Sequence, residues 1–216
     1  MKPLWTKKDL ISATNALDPS SYFLENFEGV WGVSIDDRTI QKGDLFIALI
    51  GDKFDGHNFI ENAIRKGAYG ILVSDKKLAC KYKGLLVEDT NNALRQIAKF
   101  SRHRFKGITI ALTGSSGKTS TKHILSSTLK KFGKTHNTYK NNNNIIGLSL
   151  TLSRLRYDYS YCVLELGMNN AGEIRALTEI ALPDIALITN ISNSHIQNFK
   201  NEKEIADEKS EIFTTL

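Results

Sequence analysis

A short glycine-rich loop constrains this chain more than any other feature. Gly114-Ser115-Ser116-Gly117-Lys118-Thr119-Ser120 sits between an apolar strand pattern, Ile108-Thr109-Ile110-Ala111-Leu112, and a helical pattern from Lys118 to Phe132. Glycines let the backbone turn tightly, so that successive N–H groups and a helix N-terminus face a phosphate. Lys118 adds positive charge, and the Thr119 hydroxyl can ligate Mg²⁺. Only the compact Gly-x-x-Gly-Lys-Thr form is present, because Leu112 stands where the common pattern has its first glycine. A plain Gly/Ser turn gives no reason for Lys-Thr at a helix start, so a nucleoside triphosphate is the expected ligand of Gly114 to Ser120. Such strand-loop-helix units belong to open parallel sheets, and the fold class predicted is α/β.

The surrounding pattern agrees. Tyr161-Cys162-Val163-Leu164-Glu165 and Asp184-Ile185-Ala186-Leu187-Ile188 read as buried strands, Gly172 to Ile180 as a helix, and a last helix begins near Glu202 and runs to the chain's end. Near-continuous apolar strands with intervening helices predict a mostly parallel sheet covered on both faces. The first hundred residues also alternate. Thr6-Lys7-Lys8-Asp9 has capping-box spacing, Leu45 to Leu49 is a strand, and Asn58 caps a helix through Lys66 that Gly67 stops. Strands at Tyr69 to Val73 and Leu85 to Val87 follow, then a helix from Asp89-Thr90. Arg102 to Gly107 reads as a solvated polar bridge, which sets the expected domains at 1–106 and 107–216.

Composition excludes several function classes. Residues 1–106 hold 17 basic and 13 acidic side chains, net +4, and residues 107–216 hold 12 and 10, net +2, so the excess of +6 is spread thinly. Nucleic-acid footprints are clustered, and no nucleic-acid partner is expected. Apolar runs such as Ile47-Ala48-Leu49-Ile50 fall far short of the ~20 residues of a membrane span. The polar N-terminus has no apolar stretch before a cleavage site, so the cytoplasm is the expected location, without membrane association. Cys80 and Cys162 are far apart and in no metal-type spacing, which argues against a disulfide framework.

Ligands of open parallel sheets gather at the carboxyl ends of the strands. Glu165 ends one strand and Asn190 to His195 follow another, so both are expected beside the loop. A carboxylate there suits Mg²⁺, and His195 becomes a candidate ligand or phosphate contact. Lys209 in its charged helix, by contrast, reads as exposed surface from the residues alone.

Five ordered motifs then resemble the Mur ligases of peptidoglycan synthesis: the loop Gly114 to Ser120; Asn141-Asn142-Asn143-Asn144-Ile145-Ile146-Gly147; Glu165-Leu166-Gly167-Met168-Asn169-Asn170-Ala171-Gly172-Glu173-Ile174; His195 with Phe199; and Lys209-Ser210-Glu211-Ile212-Phe213. In the first domain, Asp36-Asp37-Arg38, Gly43 to Leu49 and Asp55-Gly56-His57-Asn58-Phe59-Ile60 look like the family's UDP-sugar-binding domain. The resemblance implies an ATP-dependent amide ligation, in which an acyl phosphate of UDP-N-acetylmuramoyl-tripeptide is attacked by D-Ala-D-Ala. It implies that Lys118 holds the β/γ-phosphates, that Thr119 and Glu165 bind one Mg²⁺, and that His195 and a carbamoylated Lys209 bind a second. Carbamoylation needs a neutral amine, so burial or nearby cations must depress the basicity of Lys209. By the same resemblance Ser34, Asp36, Arg38, Asn141, Asn143 and Asn144 would contact the UDP-muramoyl peptide, with the protein acting as a monomer.

Departures occur beside these positions. Lys140 replaces a usual Gly, Asp37 a Ser, Asn170 a common His and Gln197 a Glu. They bear on muropeptide contacts more than on ATP chemistry. Family members carry a further C-terminal domain, so the central ATP domain is expected to be incomplete at its C-terminus and this chain alone inactive. The alternatives are another amide ligase of the superfamily, such as the one adding the third peptide residue, and a non-catalytic nucleotide- and substrate-binding fragment.

Overall fold

Thr6 opens the first helix through a two-way cap. In the computed structural model, which describes residues 2–17, 27–192 and 196–216, the Thr6 hydroxyl accepts the Asp9 amide and the Asp9 carboxylate accepts the Thr6 amide, both at 3.1 Å. This cap starts α1 (Lys7–Thr14) directly after β1 (Trp5–Thr6), which pairs antiparallel with β2 (Gly29–Val30). Dense packing divides the chain into two units, Met1–Ile97 and Ala98–Leu216.

The first unit is built on a parallel sheet of β3 (Gly32–Ser34), β4 (Asp44–Ile47), β5 (Gly70–Val73) and β6 (Leu85–Leu86), laid down in chain order. Helices α2 (Ile60–Arg65) and α3 (Lys76–Tyr82) connect its last three strands and bury Ile60, Ala63 and Ala79 against Phe46, Ile71 and Val73. The entry to α2 differs from the sequence expectation. Asp55, not Asn58, is the cap: its carboxylate accepts the His57 amide at 2.9 Å and starts a 3₁₀ turn over Gly56–Phe59 that leads into α2. Gly56 permits this turn, because a Cβ there would lie 2.7 Å from the Leu49 carbonyl oxygen. Lys66 and Gly67, at φ +110°, end the helix as expected.

Helix α4 (Thr90–Arg104) begins where the Asp89 carboxylate accepts the amides of Asn91 and Asn92 at 2.7 and 3.0 Å. The second unit then contains β7 (Ile108–Thr113), α5 (Lys118–Leu129), β8 (Thr135–Asn137), α6 (Ile145–Ser153), β9 (Tyr161–Glu165), α7 (Glu173–Ala181), β10 (Ile185–Ile188) and α8 (Glu202–Ser210). Its sheet has the order β10-β7-β9-β8 with every pairing parallel. The loop after β7 therefore leaves the sheet between the strands whose carboxyl ends carry Glu165 and Asn190. Cys162 lies at the core with Leu164, Leu148 and Leu177, and burial pushes its thiol up to about 12.

Three expectations need correction. Helix α8 ends at Ser210 and a 3₁₀ turn, Glu211–Phe213, follows, so the helix does not run to Leu216. The sheet is only partly covered at β10, where Ile185 and Leu187 remain 49% and 38% exposed. Arg102 to Gly107 is no solvated bridge. Phe105 is buried in the second unit's core, and the Arg102 guanidinium donates to Ala181 O at 2.9 Å, Leu182 O at 2.6 Å and Asp184 at 3.1 Å. Leu182 ends α7 in the left-handed region, φ +41°. That leaves helix-end carbonyls which a planar guanidinium can fork onto.

Because Arg102 satisfies these carbonyls with a side chain only 11% exposed, Arg102→Ala is expected to cost about 2 kcal/mol of stability. Urea unfolding would show a lower midpoint at unchanged slope, with Arg102→Lys recovering only part of the loss. An unchanged midpoint in Arg102→Ala would contradict this account.

Candidate functional site

The loop after β7 is shaped by two glycines in the left-handed region. Gly114 has φ +151°, and a Cβ there would lie 1.9 Å from Thr189 Oγ1. Gly117 has φ +78°, and a Cβ there would meet nothing within 4 Å, so the space above the turn is open. The segment after β10 clasps the two serines. Ser115 N donates to Asn190 O at 3.0 Å, Ser116 N donates to Asn190 Oδ1 at 2.8 Å, and the Ser115 hydroxyl donates to Ser192 O at 3.0 Å. With those amides engaged internally, the part of the loop left to face an anion is the first turn of α5. That helix has Gly117 as its cap residue and no side-chain acceptor. Ser120 lies exposed in this turn.

Lys118 folds back over the loop, and its ammonium donates to Gly114 O at 2.6 Å. Half-burial lowers its basicity while the Glu165 carboxylate opposes the shift. Lys209 is 1% exposed, although the charge pattern of α8 alone reads as surface. Burial first, then the cationic Lys118, lower the Lys209 amine to about 8, against the pull of Glu208. Glu208 fixes this placement: its carboxylate accepts the amides of Gly172 and Ile174, both at 2.8 Å, and so caps α7 from α8.

Glu165, at the end of β9 and 2% exposed, is the centre of the arrangement. Thr119 Oγ1 lies 3.1 and 3.3 Å from its two carboxylate oxygens, Asn143 Nδ2 donates to it at 3.1 Å, and Lys122 Nζ lies 3.0 Å away. Its own amide donates to Thr138 Oγ1 at 3.0 Å. Lys122 is fully buried, donates also to Lys140 O at 2.9 Å, and escapes sequence reasoning. The available signal was its spacing: Thr119 and Lys122 are three apart on α5, so both reach the same strand end. Among the described residues no three His, Cys, Asp or Glu side chains gather into a metal-type cluster. One carboxylate beside one hydroxyl nevertheless fits Mg²⁺ when phosphate oxygens complete its shell. His195 lies outside the described residues.

The asparagine run divides its work. Asn143 reaches Glu165 and accepts the Gly167 amide on its carbonyl at 2.9 Å, whereas Asn144 caps α6 by accepting the Gly147 amide at 2.8 Å. Asn141 accepts the Asn143 amide on its carbonyl and is exposed. Lys140, just before them, sits at φ +49°. A cavity of about 130 Å³ opens between Lys118, Asn143, Asn144, Gly167 and Glu173.

In the first unit, Ser34, Asp36 and Arg38 also come together. Arg38 forks onto the Asp36 carboxylate at 2.7 and 2.9 Å, and the buried Ser34 hydroxyl donates to Asp36 O at 3.0 Å. The Arg38 hydrogen bond holds the Asp36 carboxyl below its ordinary range, and the Arg38 side chain remains 81% exposed. Asp37 points the other way and accepts the Asn62 side-chain amide, with Lys66 3.4 Å distant, which pins the turn to α2.

The sequence and the fold match known proteins over most of the chain. Residues 112–216 match the Mur ligase middle domain and residues 30–102 match the Mur ligase family catalytic domain. The UDP-N-acetylmuramoyl-tripeptide--D-alanyl-D-alanine ligase of Buchnera aphidicola (subsp. Baizongia pistaciae) is 42% identical over 212 residues, 96% of this chain and 45% of that protein. The MurF crystal structure from Acinetobacter baumannii superposes with a TM-score of 0.84 at 34% identity, over 98% of this chain and 46% of that one. MurF ligase from Thermotoga maritima, in complex with ADP, gives 0.73 at 34% identity over 85% of this chain and 43% of that one. The chain thus spans about half the length of the relatives it matches.

The left-handed backbone at Lys140 generates a test. Glycine adopts φ > 0 without the ~1 kcal/mol that a side chain costs there, so Lys140→Gly is expected to leave stability unchanged or raise it by up to about 1 kcal/mol in urea unfolding. A clear loss would show that the Lys140 side chain, rather than its backbone, supports the asparagine loop.

Proposed function

Because the chain belongs to the Mur ligase family, we propose that it carries the substrate-binding and nucleotide-binding parts of a cytoplasmic, ATP-dependent ligase. The reaction joins D-Ala-D-Ala to UDP-N-acetylmuramoyl-tripeptide in peptidoglycan precursor synthesis. The observation that carries this reading is the Glu165 carboxylate, held 3.1 Å from the Thr119 hydroxyl at the open end of a phosphate-type loop. On this reading residues 1–106 bind the UDP-muramoyl peptide and residues 107–216 bind ATP.

The first-turn amides of α5, with Lys118 released from the Gly114 carbonyl, would bind the β/γ-phosphates. Thr119 and Glu165 would hold one Mg²⁺, which when bound draws negative charge from the transferring phosphoryl group. The γ-phosphoryl group passes to the terminal carboxylate of the tripeptide. The D-Ala-D-Ala amine then attacks the acyl carbon, an amide forms and phosphate leaves. Such a transfer depends mainly on positioning and on surrounding cations, of which Lys118 supplies one.

His195 and Lys209 would serve a second Mg²⁺. A lysine can do so only as its carbamate, formed when the neutral amine adds to CO₂ and loses a proton. The lowering of Lys209 to about 8 supports this, since it raises the neutral fraction near pH 7. Ser34, Asp36 and Arg38 would meet the UDP-sugar, with the exposed Arg38 guanidinium available to a diphosphate. Asn141, Asn143 and Asn144 would lie toward the peptide.

Two measurements test this reading. By calorimetry the chain should bind ADP with Mg²⁺ and, separately, UDP-N-acetylmuramoyl-tripeptide. Lys118→Ala should weaken the first by roughly tenfold or more and Arg38→Ala only the second; equal affinities in the variants would remove these assignments. Equilibration with ¹³C-bicarbonate should give a carbamate carbon resonance that Lys209→Arg abolishes. A resonance persisting in Lys209→Arg, or absent from the wild type, would end the carbamate assignment.

A further inference from the structure

Lys122 is a fully buried lysine that the proposed chemistry leaves without a task. Its ammonium is held from two sides, by a Glu165 carboxylate oxygen at 3.0 Å and by the Lys140 carbonyl at 2.9 Å. We infer that Lys122 is the resident counter-ion of Glu165, which keeps the site from holding a divalent cation until nucleotide phosphates arrive. This deepens the nucleotide reading and rests on it.

The argument is one of local charge. A divalent cation approaching Glu165 meets a carboxylate already neutralised by an ammonium in contact with it, beside an uncharged Thr119 hydroxyl. Lys118, close enough to Glu165 to feel its charge, adds a second positive charge. Among the described residues of this unit the other buried carboxylate, Glu208, is held by the amides of Gly172 and Ile174 and faces Lys209. Without phosphates, Lys118 and Lys122 therefore both face Glu165. A second cation of double charge enters such a site only together with an anion, and the open first turn of α5 is where that anion would sit.

The geometry also keeps Lys122 from yielding its place. Its side chain is sealed from solvent, and the left-handed backbone of Lys140 aims a carbonyl at its ammonium. Three donors engage the carboxylate: Thr119 reaches both oxygens, Asn143 takes Oε1 and Lys122 takes Oε2. Thr119 is the partner that can change without a rearrangement, because rotating its hydroxyl proton away frees a lone pair for a metal. The cation would therefore enter between Thr119 and Glu165, with Lys122 staying behind the carboxylate as a positioning residue.

Mn²⁺ is a suitable probe, because its free form is read directly by electron paramagnetic resonance. The 216-residue chain should bind Mn²⁺ at least roughly tenfold more tightly with ADP present than without it. Lys122→Gln keeps a donor between Glu165 and the Lys140 carbonyl but removes the charge. It should tighten Mn²⁺ binding in the absence of ADP by roughly tenfold, whereas Lys122→Arg should behave as wild type. A purely structural Lys122 predicts no gain in Lys122→Gln, and that result would overturn the inference. If Lys122→Gln does not fold, Lys122→Met removes the same charge and is read in the same way, and wild-type Mn²⁺ affinity that ADP raises no further than its own complexation of Mn²⁺ overturns the inference. ADP binding in the presence of EDTA separates the two levels. ADP that binds while Mn²⁺ shows no coupling leaves the nucleotide reading standing and removes this inference; ADP that binds under no condition removes both.

Discussion

The second unit is organised around one buried charge. A carboxylate that is 2% exposed, at the end of β9, persists only where hydrogen-bond donors surround it, because desolvating an unpaired ion costs several kcal/mol. Each of the donors to Glu165 comes from a different turn of chain: Thr119 and Lys122 from successive turns of α5, Asn143 from the loop before α6. Satisfying Glu165 thus fixes the start of α5 and the asparagine loop relative to β9. The network thereby holds the N-terminus of α5 at a set height above the sheet, where Gly117 leaves the loop itself without a side chain.

A second carboxylate repeats the logic at one remove. Gly172 can neither cap α7 nor shield its first amides, and Glu208 reaches across from α8 to do so. Capping from another helix serves two ends at once. It satisfies α7, and it turns α8 so that Lys209, the next residue, is buried beside Lys118 rather than left in solvent. The low basicity of Lys209 follows from that rotation, so a helix cap and the chemistry of an amine share one cause.

This division explains what the sequence made legible. The glycine-rich loop between strand and helix, the strand ending in Glu165 and the Thr6 cap were readable because each is a local pattern whose physics lies within a few residues. The burial of Lys122 and Lys209 depends on contacts between distant segments, and a lysine in a charged helix carries no local sign of its partner. Helix α6 was missed because Ile145-Ile146-Gly147-Leu148-Ser149-Leu150 is apolar almost all round, and β8 because Thr135-His136-Asn137 lacks an apolar run. Arg102 was misread for the reason that α8 was: composition marks a charged side chain as surface, and only a helix end elsewhere in the chain offers it carbonyls. His195, by contrast, remains a reading of the sequence alone.

The positions that depart from the family pattern follow from the same distinction between side chain and backbone. Asp37, in place of a serine, turns away from the Asp36-Arg38 pair and anchors the 3₁₀ turn Asp37–Thr39 to Asn62 and Lys66. A carboxylate does there what anchoring requires, and the exposed Arg38 is left unobstructed. Lys140, in place of a glycine, keeps the left-handed backbone that a glycine adopts freely, and what Lys122 receives from it is a carbonyl oxygen. Any residue able to hold that conformation presents the same oxygen. Substitution at Lys140 therefore changes what the surface offers without touching the donors around Glu165, because the buried network requires of position 140 only the chain's path, whereas at position 37 the carboxylate itself does the anchoring.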